Sequence, residues 1–142
     1  MTAAGRAASF DPAAIPAVVF SDPEVATVGL TTAAAREQGI DARSFRFPLG
    51  ASARARIVGD TTGHVEVVAD AEGTVIGVHL AGPHVSELAG EAALAVEMAA
   101  TLEDLTAVIH PHPTMSEAVL EAALGAAGHP LHVHVNKRRP SA

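Results

Sequence analysis

The chain contains no cysteine, no tryptophan and no tyrosine, and only four phenylalanines among its 142 residues. Without cysteine, a disulfide framework and cysteine metal sites are excluded, and so is any thiol chemistry carried by the chain itself. Without large aromatics, the core has few bulky anchors. Hydrophobic residues still make up 49% of the chain, and alanine dominates them. Helices are therefore expected to pack closely through small side chains. Positive charge is also scarce: nine Lys and Arg against sixteen Asp and Glu give a net charge of -7. A broad phosphate-binding surface is not expected, and no nucleic-acid partner is assigned. The one basic cluster, Lys137, Arg138 and Arg139, reads as a solubilising terminus. No apolar run reaches the roughly 18 residues of a membrane span. The opening stretch MTAAGRAASFDPAAIP lacks the apolar segment of a signal peptide. A cytoplasmic protein with no membrane partner is the expectation.

The length suits one domain. Residues 1–14, rich in Ala with Gly and Pro, read as a disordered leader, 15–127 as the folded domain, and 128–142 as a flexible tail. Residues 17–20 and 25–29 read as strands around a Ser21-Asp22-Pro23 turn. The stretch TTAAAREQG reads as a short helix stopped by Gly39. The middle of the chain reads as β: ARSFRFPL, then RARIVG, then GHVEVVAD and TVIGVHLAG across a turn containing Gly73. Within GHVEVVAD, Val65 and Val67 alternate against His64, Glu66 and Val68. Consecutive strands with tight turns suggest an antiparallel meander. The last third reads as helical. SELAGEAALAVEMAA places Leu88, Ala92, Leu94, Val96 and Ala99 near helical spacing, Thr101 caps a second helix, and a third runs from about Ser116 to Ala127. The fold class is α+β, an antiparallel sheet with flanking helices expected on one face. There is no G-x-G-x-x-G and no P-loop, so no nucleotide-binding unit is read.

The stretch HPHPTMSEAVLEAAL, residues 110–124, concentrates the chemistry. Pro111 and Pro113 each bias the preceding histidine toward an extended backbone, so the loop is stiff and can aim an imidazole. Thr114 and Glu117 match a capping box, which by itself accounts for Glu117. The functional alternative sets the Glu117 carboxylate against the His112 ring, as the orienting member of a base-and-orienter pair. The helix N-terminus disfavours an imidazolium, while the carboxylate favours it, and the sequence alone does not decide which prevails. Metal binding is a third reading, since His110, His112, His129, His132 and His134 are close in sequence. None of these spacings matches a helical H-x-x-x-H or zinc-finger pattern. His64, His79 and His84 fall in strand or loop context and read as surface or structural residues.

These motifs resemble, in order, those of the FAD-dependent pyridine nucleotide-disulfide oxidoreductases, most closely the dihydrolipoamide dehydrogenase members. HPHPTMSEAVLEAAL is similar to the family's H-x-H-P-T-x-S-E signature. IPAVVFSDPEVATVGLT resembles the entry to its C-terminal domain, and GHVEVVAD followed by GTVIGVHLAGPHVSELAGEAALAVEMAATLEDL resembles the sheet and long helix after it. The resemblance spans about residues 15–124 and implies an interface, or dimerisation, domain. It further implies that His112 acts as acid/base for a thiol in the active site of the other subunit of a homodimer. By the same resemblance Glu117 orients that ring, and His112 and Pro113 contact the partner's flavin. His110 stands at the family's variable first position and receives no role.

The family also needs an FAD domain, a domain for NAD(H) and a redox-active cysteine pair, and none is in this sequence. The expectation is a detached interface domain: a truncated product, an excised fragment or one half of a split enzyme. The chain alone would bind no cofactor, with FAD and NAD belonging to the full-length enzyme. Its partner would be a second copy or an FAD/NAD-binding polypeptide of the same family. The alternatives are a non-catalytic self-association or docking module and a remnant without function. Whether the chain is an enzyme is left open by the sequence.

Overall fold

The computed structural model describes residues 10–134. The expectations for residues 1–9 and 135–142, including the basic cluster, lie outside the described residues. Five strands form one sheet: β1 (Ala17–Val19), β2 (Glu24–Gly29), β3 (Ala42–Pro48), β4 (His64–Asp70) and β5 (Val75–Gly82). The order is β1-β2-β5-β4-β3, with every neighbouring pair antiparallel. The meander holds for β3, β4 and β5. β2, however, pairs with β5, and the chain reaches β3 through α1 (Thr32–Glu37).

Period-two alternation puts Ala26 and Val28, Val65 and Val67, and Val78 and Leu80 on one buried face. Helices α3 (Ala89–Glu97) and α5 (Glu117–Ala126) cover that face, α3 over β2 and β5, and α5 over β3 and β4. Between them α4 (Leu102–Ala107) packs against α5. It starts in a full capping box: Thr101 Oγ1 accepts the Asp104 N–H at 3.1 Å, and Asp104 accepts the Thr101 N–H at 2.8 Å.

Four expectations change. RARIVG is not β but the helix α2 (Ala53–Val58). Ser52 caps its start by accepting the Ala55 N–H, and Gly59 ends it in the left-handed conformation at φ 82°. The helices are not confined to one face: α1 packs against β3 and shares a pocket with Arg46, Glu66 and His79 on the opposite side. Val68, expected on the open face, is fully buried there. On α3 the buried stripe is Ala89, Ala92, Ala95 and Val96, so Leu94 points outward, and Ala99 lies beyond the helix with φ 49°. Among the described residues, no helix is long and apolar enough to cross a membrane.

α5 packs against β3 and β4 and buries Ala118, Ala122 and Ala126 in the core. At Gly125 a methyl group would sit 2.0 Å from the Phe45 ring. Gly125→Ala should therefore lower stability by about 1–3 kcal/mol through overpacking, despite alanine's better helix propensity. Urea unfolding followed by circular dichroism checks this.

Candidate functional site

The segment from Val108 to Ser116 links α4 to α5 and carries both histidines of the motif. Its first apolar members do not hold it, since Val108 is 52% and Ile109 94% exposed, whereas Met115 near its end packs against the core. Polar contacts hold it as well. His112 Nδ1 lies 2.8 Å from Glu117 Oε1. The other carboxylate oxygen accepts the Thr114 N–H at 2.8 Å. The Thr114 hydroxyl donates to the Pro111 carbonyl at 2.7 Å. The His112–Pro113 peptide bond is cis.

Only the glutamate half of the expected capping box forms. Thr114 turns its hydroxyl back to Pro111 and gives the helix no side-chain cap. The residue preceding α5 is Ser116, which has helical angles and likewise no capping bond. The two readings of Glu117 are thus compatible, because each carboxylate oxygen serves one of them. Burial opposes ionisation of Glu117. The Thr114 N–H, the His112 hydrogen bond and the electrostatic influence of the His112 and His110 rings outweigh burial, and its carboxyl is held below the ordinary glutamate range.

The His112 side chain is 69% exposed. With Nδ1 donating to a carboxylate, the ring leaves Nε2 as the nitrogen that takes up a proton. Beside it lies a shallow recess lined by Phe47, Ala51, Ser52, Glu117, Glu121 and His132. Pro113 sits half-buried in the same loop.

The structure brings together two further histidine–glutamate pairs that local spacing did not reveal. His110 Nε2 lies 2.8 Å from Glu91 Oε1 on α3. His132 Nδ1 lies 2.6 Å from Glu121 Oε1, and the His132 N–H reaches Oε2 at 3.4 Å. Glu121 is a buried carboxylate one turn beyond Glu117 on α5. That i, i+4 relation was the available signal, since it puts both carboxylates on one face. The described part of the expected tail therefore lies on the body of the domain, where Val133 packs against the core. Of the other histidines, His79 points Nε2 at the Leu30 carbonyl at 3.1 Å, His64 is half-buried on the open face, and His84 adopts φ 57° ahead of a 3-10 turn.

Residues 15–123 match the family model for the pyridine nucleotide-disulphide oxidoreductase dimerisation domain. The chain belongs to this family, as its dimerisation domain. It is 52% identical to a dihydrolipoyl dehydrogenase of Halobacterium salinarum over 91% of this chain and 27% of that protein. It is 44% identical to the dihydrolipoyl dehydrogenase of Bacillus subtilis over 92% of this chain and 28% of that protein. Among solved structures, LpdA from Mycobacterium tuberculosis superposes with a TM-score of 0.72 at 32% identity, over 77% of this chain and 24% of that one. The HOCl-induced flavoprotein disulfide reductase RclA from Escherichia coli gives 0.74 at 28%, over 78% and 26%. The dimerisation domain thus spans about a quarter of the length of the relatives it matches.

Two predictions come from this site. Because the Glu117 pKa is depressed on folding, its ties add stability above the unfolded glutamate pKa, and that stability is lost as pH falls through the lower folded value. Glu117→Gln removes this titration. Its stability should change less than the parent's between neutral pH and the acid range below about 4.3, measured by urea unfolding at a series of pH values. At the second pair, His132→Ala leaves the Glu121 carboxylate without its ring partner and should cost about 1–2 kcal/mol in the same assay at neutral pH.

Proposed function

We propose that this dimerisation domain docks on a polypeptide of its own family and supplies His112 and Glu117 to that partner's thiol–disulfide site. The supporting observation is the 2.8 Å contact between His112 Nδ1 and Glu117 Oε1 on an exposed, proline-braced loop. The partner is a second copy within a homodimer, or an FAD- and NAD-binding chain. The activity is that of a dihydrolipoamide dehydrogenase-like oxidoreductase, and the reading places it in the cytoplasm, where dithiols stay reducible.

Neither dinucleotide fits the residues present. The sequence has no glycine-rich turn to cradle a pyrophosphate. FAD and NAD would sit on the partner and supply electron transfer there. This chain contributes only the edge formed by His112 and Pro113.

The proton chemistry follows from the ring's bonding. Glu117 accepts from Nδ1 and so turns the Nε2 lone pair outward. A partner thiol loses its proton to Nε2, and the resulting thiolate becomes the nucleophile in thiol–disulfide exchange. The imidazolium so formed is stabilised by the Glu117 carboxylate, and it returns the proton to the leaving thiolate when exchange runs back. Docking has a surface available: Leu94 on α3 and Met98, the residue that caps its C-terminal end, are both exposed.

The second reading, a docking module without catalysis, draws on the same apolar pair. The two separate in one experiment. A dehydrogenase lacking this domain is mixed with the chain and assayed for NADH-linked lipoamide reduction. Rescue by the parent chain, and its loss by at least about 100-fold in His112→Ala, is expected. Light scattering should show the same association for both chains. Association without rescue would support the docking module instead.

A further inference from the structure

We propose that Glu91 and His110 form a positioning pair that sets the aim of His112. The inference rests on reading His112 as the acid/base group, and it concerns a histidine to which the motif itself gives no role. His110 is the buried side chain of its half of the loop, with only 5% of the side chain exposed. Its immediate predecessors, Val108 and Ile109, face outward. The first half of the loop is therefore held by an imidazole and not by apolar packing.

Both nitrogens of that ring are engaged. Nε2 meets Glu91 Oε1 at 2.8 Å, and Nδ1 meets the Val108 carbonyl at 3.1 Å. A ring with an acceptor at each nitrogen has no free nitrogen for proton shuttling, so His110 is a fixture and not a second base. An apolar side chain in its place would bury as well, but without direction. Two bonds at opposite ends of a planar ring fix its rotation as well as its position.

The position then reaches His112 through one residue. Pro111 fixes its own φ and restricts the residue before it. On the far side His112 is tied to Glu117 at 2.8 Å. The His-Pro segment is thus mounted at two points, on α3 through Glu91 and on α5 through Glu117. The His110 ring also acts electrostatically on Glu117, in the direction that holds the carboxyl low. Loss of the α3 mount leaves His112 on a loop fastened at one end.

The test uses ring nitrogen NMR of the full chain. In the parent, Nδ1 of His112 carries the hydrogen that Glu117 accepts, and the ring hydrogens of His110 are protected from solvent exchange. Glu91→Ala should release the His110 ring and shift the His112 ring away from the Nδ1–H tautomer. Glu91→Gln, which keeps an oxygen acceptor, should retain most of the parent pattern. In the mixed lipoamide assay, Glu91→Ala should lower kcat about tenfold or more with little change in KM, and Glu91→Gln far less.

An unchanged His112 tautomer in folded Glu91→Ala overturns the inference and leaves the trans-acting reading intact. A shifted tautomer, in a chain whose parent gives no rescue, supports the positioning pair and overturns that reading. Should Glu91→Ala lose its dispersed amide spectrum, the parent decides: His110 ring hydrogens that exchange freely with solvent overturn the proposal, and protected ones support it.

Discussion

The close approach of α5 to β3 and β4 sets the rest of the structure. Small residues make it possible: Ala118, Ala122 and Ala126 are buried in the core, and Gly125 meets the Phe45 ring where a methyl group would collide. The alanine wealth and aromatic poverty of the chain meet in this contact. A helix of larger residues would stand further from the sheet. Glu117 and Glu121 sit on α5, so their distance from the loop and from the C-terminal segment is fixed by how deep the helix lies.

Three carboxylates then organise the surroundings, each holding one imidazole. Glu117 holds His112, Glu91 holds His110 and Glu121 holds His132. The bond is alike in all three, and the remaining nitrogen separates their roles. His112 is exposed and its Nε2 is not committed to another group among the described residues. His110 is buried and commits both nitrogens. His132 is exposed, but its partner Glu121 is the buried member, so the pair fastens the segment after α5 across the recess beside His112. A salt-bridge count alone would have treated the three as equivalent; burial and second bonds distinguish them.

On the proposed reading, the His112–Glu117 pair is half of a reaction: it offers a proton acceptor with its carboxylate, and the chain has no thiol. It also presents Leu94 and Met98 to the outside, where a partner surface would cover them. These features agree with a dimerisation domain whose chemistry is completed across an interface. The same arrangement explains a loop braced from both sides: a group that must meet a reactive atom on another polypeptide gains from being held before docking, because less ordering is left to the encounter.

The sequence by itself determined the class of fold, the strands at β1 to β5 and the Thr101 cap, and it offered the pairing of His112 with Glu117 as one of two readings. These are local features, encoded by period-two alternation, by a capping residue beside its helix, and by a carboxylate five positions from a histidine on a proline-bounded turn. It also determined that no cysteine chemistry resides here. Only the tertiary structure decided the rest. α2 was mistaken for β because six residues with a single buried alanine carry no clear period. The outward turn of Leu94 depended on which stripe of α3 met the sheet. β2 lies beside β5 because α1 carries the chain to the far side of the sheet, and no local pattern records that choice. Glu91 and His110 meet because the chain returns past α3 after α4, and Glu121 and His132 meet because the segment after α5 folds back along it. The His112–Glu117 pair lies within one local stretch; packing assembled the contacts around it.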